Sequence, residues 1–139
     1  MAKILTVVIP TYNMEKYLDR WLTSLIVTNN DLLERLEVLV VIDGAKDRSS
    51  EIAHSYQIRY PQTFIVIDKE NGNYGSCVNR GVAEATGKYI KILDADDWFD
   101  TVAFESYLRK LETLDADVIL TNYQRVLDDG TIIKKAIYG

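Results

Sequence analysis

The chain has 139 residues, of which 47% are hydrophobic and 27% are charged, and this is enough sequence for one globular domain. The net charge of −5 argues against a nucleic-acid-binding protein, because such proteins present a basic face. The single cysteine excludes an internal disulfide. Because the chain also has only one histidine, a structural zinc site is not expected.

Two further classes of segment are not expected in this sequence. No apolar run approaches the ~20 residues that a membrane-spanning helix needs. The N-terminus enters a strand-like segment directly, without the apolar region and cleavage site of a signal peptide. We therefore expect a cytoplasmic protein, with the inner face of a membrane as the alternative location.

The first half of the chain alternates apolar strands with helices. Residues 4–9 form an apolar run with one threonine, which is typical of a strand buried on both faces, and Pro10 is expected to end it. Residues 36–42 predict a second strand of the same buried kind. Between them, apolar residues from Met14 to Ile26 recur at helical spacing, with Asn13 as the expected N-cap. A second helix is expected to begin near residues 47–50.

The second half continues the alternation. Residues 64–67 and 89–93 predict two more strands, separated by a helix with Val78 and Val82 on its apolar face and Gly87 after its end. Cys77 lies in that helix with no histidine placed to activate it, so we expect a packing residue. A further helix, a fifth strand at 118–127 and a returning hairpin arm at 131–137 complete the chain.

This order predicts an α/β fold: a doubly wound, mostly parallel sheet with helices on both faces, followed by a C-terminal β-hairpin. In such sheets ligands bind beyond the carboxyl ends of the strands. The polar segments that follow the strands should therefore converge on one crevice. They contain Pro10, Thr11, Tyr12, Asp43, the loop 72–75 and the acidic cluster at 94–97.

The acidic cluster predicts a metal site. Asp94 and Asp96 are two residues apart, so in an extended backbone their carboxylates point to the same side. Paired carboxylates suit Mg²⁺ or Mn²⁺, and such a metal suggests a phosphorylated ligand. The alternative is an acidic turn that caps the next helix. Neither the P-loop pattern nor the dinucleotide-binding glycine pattern is present, which argues against both of those nucleotide folds.

The segments "VVIPTYN", "VVIDGAKDRS", "NGNYGSCVNRGVAEATGKYI" and "ILDADDW" occur in this order, and together they resemble the family 2 glycosyltransferases of the GT-A fold. The resemblance extends from about residue 4 to about residue 100. It implies that Pro10, Thr11 and Tyr12 lie against a nucleotide and that Asp43 contacts its base, usually uracil.

The resemblance also implies roles for the remaining site residues. Asp94, Ala95 and Asp96 match the DxD motif, in which the second acid binds the divalent metal, Mn²⁺ or Mg²⁺, on the donor diphosphate. The first acid lies near the ribose or the metal. Gly75 matches the family's loop, Lys69 is expected as a phosphate neighbour, and Asn79 and Gly81 are expected to be structural. The family commonly has an acid where this chain has Ile42, and Ser-Thr where it has Ala45 and Lys46.

The implied function is an inverting, metal-dependent transfer of a sugar from a nucleotide-diphosphate donor, with UDP expected, to a saccharide or lipid-linked acceptor. In the family the catalytic base lies in the acceptor-binding half. No residue before Gly139 is assigned that role, so residues 1–139 are expected to be one donor-binding domain that stops before the acceptor half. An unpaired edge strand of the sheet can pair with a second copy of the chain, so a homodimer is one expected state.

Three alternatives are weighed against this hypothesis. A non-catalytic module that binds a nucleotide sugar fits the same residues. A receiver-like signalling domain needs acids after the first strand, where Pro10 and Thr11 stand. A nucleotidyltransferase needs a glycine-rich basic loop at that place, and none is present.

Overall fold

The computed structural model describes residues 2–44, 46–93, 100–113, 122–126 and 132–137. A parallel sheet has the strand order β3-β2-β1-β4 and consists of β1 (Leu5–Thr11), β2 (Leu36–Asp43), β3 (Phe64–Lys69) and β4 (Tyr89–Ile92). The helices are α1 (Leu18–Ser24), α2 (Asn30–Glu34), α3 (Ser49–Arg59), α4 (Tyr74–Glu84) and α5 (Thr101–Thr113). Strands β5 (Asn122–Val126) and β6 (Ile132–Ile137) form a separate antiparallel pair.

Helices cover both faces of the parallel sheet. Because side chains alternate along a strand, Val7 and Ile9 of β1 point into a core shared with α1, α3 and α5, while Val8 points to the opposite face. On that second face Val8 packs in a smaller cluster with Cys77 of α4. The predicted α/β architecture with helices on both faces is confirmed, and so is the packing role of Cys77.

Strand β1 does not end at Pro10, contrary to the expectation. It continues through Thr11, and Pro10 pairs in register with Val41 of β2. The carbonyl of Val8 accepts a hydrogen bond from Leu93 N (2.9 Å), so by alternation the nitrogen of Pro10 also faces the β4 side. The last ladder pair on that side joins Val8 to Ile92, so within the described residues the missing N–H of Pro10 breaks no ladder bond.

The predicted apolar face of the helix before β4 is also corrected. The buried residues of α4 are Cys77 and Gly81, whereas Val82 is 46% exposed. The helix ends at Glu84, three residues before Gly87. Gly87 instead packs against β1, where an added Cβ would lie 2.5 Å from the backbone nitrogen of Thr6.

The two C-terminal strands pair in the antiparallel manner expected for a hairpin. Of the predicted fifth strand at 118–127, the structure describes Asn122–Val126, and in the described residues this strand pairs with β6 and not with the parallel sheet. A partner that lies nearby in sequence closes a short loop, which costs less chain entropy than joining a distant edge. The turn residues between the two strands lie outside the described residues.

A buried glutamate inside β2 organises the amino edge of the parallel sheet. Glu37 is 4% exposed, and its Oε1 accepts hydrogen bonds from Thr6 Oγ1 and Thr86 N, both at 2.8 Å. Its Oε2 accepts a bond from Thr86 Oγ1 at 2.8 Å. Neighbouring strand β1 and the turn before β4 are therefore joined through one carboxylate.

We expect Glu37→Ala to lower the free energy of unfolding by about 3 kcal/mol, because it leaves two hydroxyls and an amide without their acceptor. Chemical denaturation of the variant and the wild type measures this difference. Glu70→Ala is the matched control, since Glu70 is exposed and its loss should change stability by less than about 0.5 kcal/mol. Equal losses in the two variants would contradict the structural role of Glu37.

Candidate functional site

The residues expected to bind a ligand lie where the parallel strands end. Thr11, the last residue of β1, is in register with Ile42, and Asp43 at the end of β2 is in register with Lys69 at the end of β3. Parallel strands place their carboxyl ends at one edge, so Thr11, Asp43 and Lys69 are brought together there, as the sequence predicts. We call this the carboxyl edge of the sheet.

Of the three residues Pro10, Thr11 and Tyr12, only Tyr12 presents its side chain to solvent. Thr11 is buried, and its hydroxyl donates a hydrogen bond back to Ile9 O at 3.1 Å. Pro10 is buried within β1. Tyr12, in contrast, is 46% exposed directly beyond the strand. Pro10 and Thr11 can therefore shape the edge through their backbone, while the Tyr12 ring is available for contact with a ligand.

The loop after β1 is bonded to the loop after β2, a connection that the local sequence pattern did not predict. Asn13 Oδ1 accepts a hydrogen bond from Lys46 N (2.8 Å), and Met14 N donates to Ser49 Oγ (2.8 Å). Asp47 Oδ2 accepts from Glu15 N at 3.0 Å.

These long-range bonds explain the altered start of the first helix. Asn13 has a left-handed φ of 49° and its side chain reaches Lys46, so it does not cap a helix at residue 14. Helix α1 begins instead at Leu18, after a turn in which Met14 O accepts bonds from Tyr17 N and Leu18 N.

Asp43 is the centre of a second hydrogen-bonded unit. The residue is 5% exposed, and its Oδ1 accepts bonds from Gly72 N (2.8 Å) and Lys69 Nζ (3.1 Å). Its Oδ2 accepts a bond from Asn73 N at 3.1 Å, and its main-chain carbonyl accepts one from Asn71 Nδ2 at 3.2 Å. The carboxylate of β2 thus holds the loop that leads into α4.

The electrostatics of Asp43 follow from these contacts. Burial acts to raise the pKa of its carboxyl, but hydrogen bonds from Gly72, Lys69 and Asn73, together with the charge of Lys69, outweigh burial and hold the pKa below the ordinary value for aspartate. Burial raises the pKa of the neighbouring Cys77 thiol, and the negative charge of Asp43 raises it further. Asp43 is therefore an anion at neutral pH, and Cys77 is unsuited to act as a nucleophile.

Lys69 is enclosed by protein oxygens. Its ammonium donates to Asp43 Oδ1 (3.1 Å), Ser76 Oγ (2.9 Å) and the main-chain carbonyl of Glu70 (2.7 Å), and its side chain is 14% exposed. An ammonium has three hydrogens, so these acceptors account for its donor capacity. Direct contact between Lys69 and a phosphate, the role expected from the sequence, would require the exchange of one of these bonds.

The loop before α4 has backbone conformations that favour specific residues. Gly44 has a φ of 60° and lies so close to the loop that an added Cβ would stand 2.8 Å from Asn71 N. Asn73 has a φ of 113°, and its Oδ1 accepts a bond from Ser76 N at 2.9 Å as the N-cap of α4. The positive end of the α4 dipole is consequently fixed at the carboxyl edge.

The other residues of the loop-and-helix pattern divide into two groups. Gly75 and Asn79 are exposed, and the atom nearest an added Cβ at Gly75 is Asn73 Oδ1 at 3.5 Å. Gly81 is buried against β1, where an added Cβ would lie 2.3 Å from Val8 Cγ1. The structural role expected for Gly81 is confirmed.

The predicted metal ligands Asp94 and Asp96, with Ala95 between them, lie outside the described residues. The last described residue before them is Leu93, directly after β4, whose N–H donates to Val8 O of β1 at 2.9 Å. Carboxylate pairs are a donor set that Mg²⁺ and Mn²⁺ accept, so the residue types fit the metal. Elsewhere, in the ranges for which the structure gives positions, no three potential metal-binding side chains are grouped together.

The length and composition of a helix determine whether it can span a membrane. Of the helices described, none combines the length and the apolar composition needed to cross a bilayer.

Comparison with known proteins identifies several similar chains. The sequence model described as "Glycosyl transferase family 2" matches residues 6–138. The chain is 31% identical over 119 residues to Glycosyltransferase GlyA of Streptococcus pneumoniae serotype 4, covering 86% of this chain and 16% of that protein. It is 35% identical over 103 residues to the Minor teichoic acid biosynthesis protein GgaB of Bacillus subtilis, covering 74% of this chain and 11% of that protein.

A solved structure is similar in fold as well. The structure of S. aureus TarS 1-349 in complex with UDP-GlcNAc superposes with a TM-score of 0.67 at 26% sequence identity, covering 78% of this chain and 31% of that one. The chain therefore spans less than a third of the length of each of these three proteins.

Proposed function

The chain belongs to glycosyl transferase family 2, and from that membership we propose that it binds the nucleotide sugar of a glycosyltransferase reaction, with a UDP-linked sugar as the donor. One observation carries the proposal. The loops that follow β1, β2 and β3 meet at the carboxyl edge, where an exposed tyrosine, a buried aspartate and the start of α4 lie together. The TarS structure bound to UDP-GlcNAc supports the choice of UDP.

Each residue of the edge has a proposed part in binding. The Tyr12 ring contacts the nucleobase, and the buried residues Pro10 and Thr11 fix the backbone beneath it. Asp43 accepts a hydrogen bond from the base, because a carboxylate offers about four acceptor positions and the bonds from Lys69, Gly72 and Asn73 use three of them. Only the weak thiol donor of Cys77 competes for the remaining position among the contacts described here.

The diphosphate is proposed to lie between α4 and the acidic cluster. Gly75 is exposed in the first turn of α4, where a helix N-terminus favours negative charge. Asp94, Ala95 and Asp96 follow β4 in the sequence, and the two acids would hold Mn²⁺ or Mg²⁺. When bound, such a metal neutralises the negative charge that grows on a departing diphosphate.

The complete reaction is proposed to break the bond between the sugar's anomeric carbon and the diphosphate and to form a bond to an acceptor oxygen. A base must take the acceptor's proton, and we place it beyond Gly139, in a part of the protein that pairs with this donor-binding part. The proposed acceptor is a saccharide or a lipid-linked molecule. The GgaB relative, whose name refers to teichoic acid biosynthesis, favours a cell-envelope polymer.

The proposal is tested by calorimetric titration of the chain with UDP, with and without Mn²⁺. We expect Mn²⁺ to tighten binding by at least about tenfold, because Asp94 and Asp96 would hold an ion whose positive charge attracts the diphosphate. Asp96→Ala should abolish the metal effect. The matched control is Asp31→Ala, which removes an exposed carboxylate from α2. If UDP binds with an affinity that neither Mn²⁺ nor the Asp96→Ala change alters, the proposal is refuted.

Slow hydrolysis of the donor separates an enzyme from a pure binding module. Release of UDP from UDP-GlcNAc by the chain, dependent on Mn²⁺, indicates that the donor is activated here. Tight binding without turnover indicates either a non-catalytic module or an enzyme that needs further residues for turnover. The similar proteins GlyA and TarS 1-349 are more than twice as long as this chain.

A further inference from the structure

We infer that Lys69 is a positioning residue of the nucleotide site: it holds the Asp43 carboxylate and the first turn of α4 in the arrangement that receives the nucleoside. This inference rests on the proposed function and assigns Lys69 a role different from direct contact with phosphate. It is carried by the contacts of the ammonium group and by its position between two neighbouring strands.

The position of Lys69 follows from the register of the sheet. Lys69 ends β3 and is paired with Asp43, the last residue of β2. Main-chain bonding continues past this pair, since Gly44 N donates to Lys69 O at 2.9 Å. The two oppositely charged side chains therefore start from adjacent points of one rigid sheet, and their side chains are only 14% and 7% exposed.

The ammonium closes a ring of hydrogen bonds. Lys69 Nζ donates to Asp43 Oδ1 and to Ser76 Oγ, and the Ser76 hydroxyl in turn donates to Asn73 O at 2.8 Å. The backbone N–H of Asn73 donates a hydrogen bond to the other carboxylate oxygen of Asp43, Oδ2, at 3.1 Å, which closes the ring. Strand β2, strand β3 and the first turn of α4 are joined through this one ring.

Burial makes the ring costly to break. If the ammonium left Asp43 for a phosphate, the carboxylate would keep its negative charge inside the protein without its cationic partner. The bonds to Ser76 and to the Glu70 carbonyl would also have to be replaced. A lysine that points freely into solvent would face no such cost, so the geometry favours a role inside the protein.

The two roles predict different ligand dependence. A lysine that binds phosphate contributes to the affinity for UMP and UDP and not to that for uridine. A lysine that positions Asp43 and the loop contributes to the nucleoside part, and so affects uridine, UMP and UDP by the same factor. The comparison among the three ligands is therefore more informative than the affinity for UDP alone.

The experiment compares Lys69→Met with the wild type by titration of uridine, UMP and UDP. We expect each of the three affinities to fall by about tenfold, the order of effect of losing one hydrogen bond to a charged group. Lys88→Met is the matched control, since Lys88 is exposed at the opposite edge of the sheet, before β4, and its loss should leave all three affinities unchanged. A loss confined to UMP and UDP, or no loss at all, would overturn the inference.

A second measurement separates this inference from the proposed function. In the ligand-free chain, amide hydrogen exchange at Gly72 and Asn73 should be at least about tenfold faster in Lys69→Met than in the wild type, and unchanged in Lys88→Met. If the wild type binds none of the three ligands, the proposed function fails, and this exchange still decides the structural claim. Unchanged exchange in Lys69→Met would show that Lys69 does not hold the loop.

Discussion

Asp43→Ala is expected to lower the free energy of unfolding by about 3 kcal/mol and to abolish measurable UDP binding. The change removes the shared acceptor of the Gly72 and Asn73 amides and leaves the buried ammonium of Lys69 without its anionic partner. Denaturation measures the first effect, and calorimetric titration with UDP under conditions where the variant remains folded measures the second.

A neighbouring aspartate provides the control for this variant. Asp68 lies one residue before Lys69 and is about half exposed, with hydrogen bonds to His54 Nε2 and Ser50 Oγ, both at 2.7 Å. Since solvent screens such contacts, Asp68→Ala should cost less than about 1 kcal/mol. If the two variants are equally stable, Asp43 does not anchor the loop.

The effect of Asp43 should depend on pH in a defined direction. The folded-state pKa of Asp43 is lowered, so its contribution to stability is fully present above the unfolded-state pKa of about 3.9 and is lost as the pH falls through the folded-state value. The stability difference between the wild type and Asp43→Ala should therefore be constant from pH 7 to about pH 5 and shrink below pH 4. A difference that grows on acidification would contradict the assigned contacts.

Gly81→Val is the second change with a large expected effect, again a loss of about 3 kcal/mol in the free energy of unfolding. An added Cβ would lie 2.3 Å from Val8 Cγ1 and 3.1 Å from Val8 Cβ, and Val8 is fully buried in β1. Rotation of the Val8 side chain cannot relieve both contacts, so α4 must move away from the sheet. Thermal or chemical denaturation measures the loss.

Gly75→Ala tests whether the effect is specific to the contact with the sheet. Gly75 lies in the same helix but is exposed, and an added Cβ meets nothing closer than 3.5 Å. Alanine is favoured over glycine in a helix, so this variant should be as stable as the wild type or more stable by up to about 1 kcal/mol. A similar loss in both variants would show that the close approach of α4 to β1 is not the cause.

The pattern of the sequence predicted the parallel sheet well, because β1 and β2 are mostly apolar and every residue of both strands is buried. It failed for features that depend on distant partners. Pro10 remains in β1 because the nitrogen faces a side where the described ladder has already ended. Similarly, Gly87 was expected directly after the end of a helix, whereas it packs against Thr6 of β1, far away along the chain.

In the candidate site, too, the features set by strand order could be predicted, whereas those that depend on distant partners could not. The positions of Thr11, Asp43 and Lys69 at one edge follow from the order of strands and could be predicted. The orientation of their polar groups could not, since the Asp43 carboxylate is turned toward amides of the 71–73 loop and Asn13 reaches a residue after the next strand. Side-chain orientation depends on partners that only the folded chain brings near.

The location of the nucleotide site is tested most directly by mapping the amide resonances of the chain during a UDP titration with Mn²⁺. We predict that amides at the carboxyl edge shift with UDP concentration, including those of Tyr12, Gly44, Gly72 and Gly75. Amides at the opposite edge, such as those of Lys3 and Lys88, should stay in place. Shifts concentrated at the opposite edge, or no shifts at saturating UDP, would contradict a nucleotide-sugar site at the carboxyl ends of the strands.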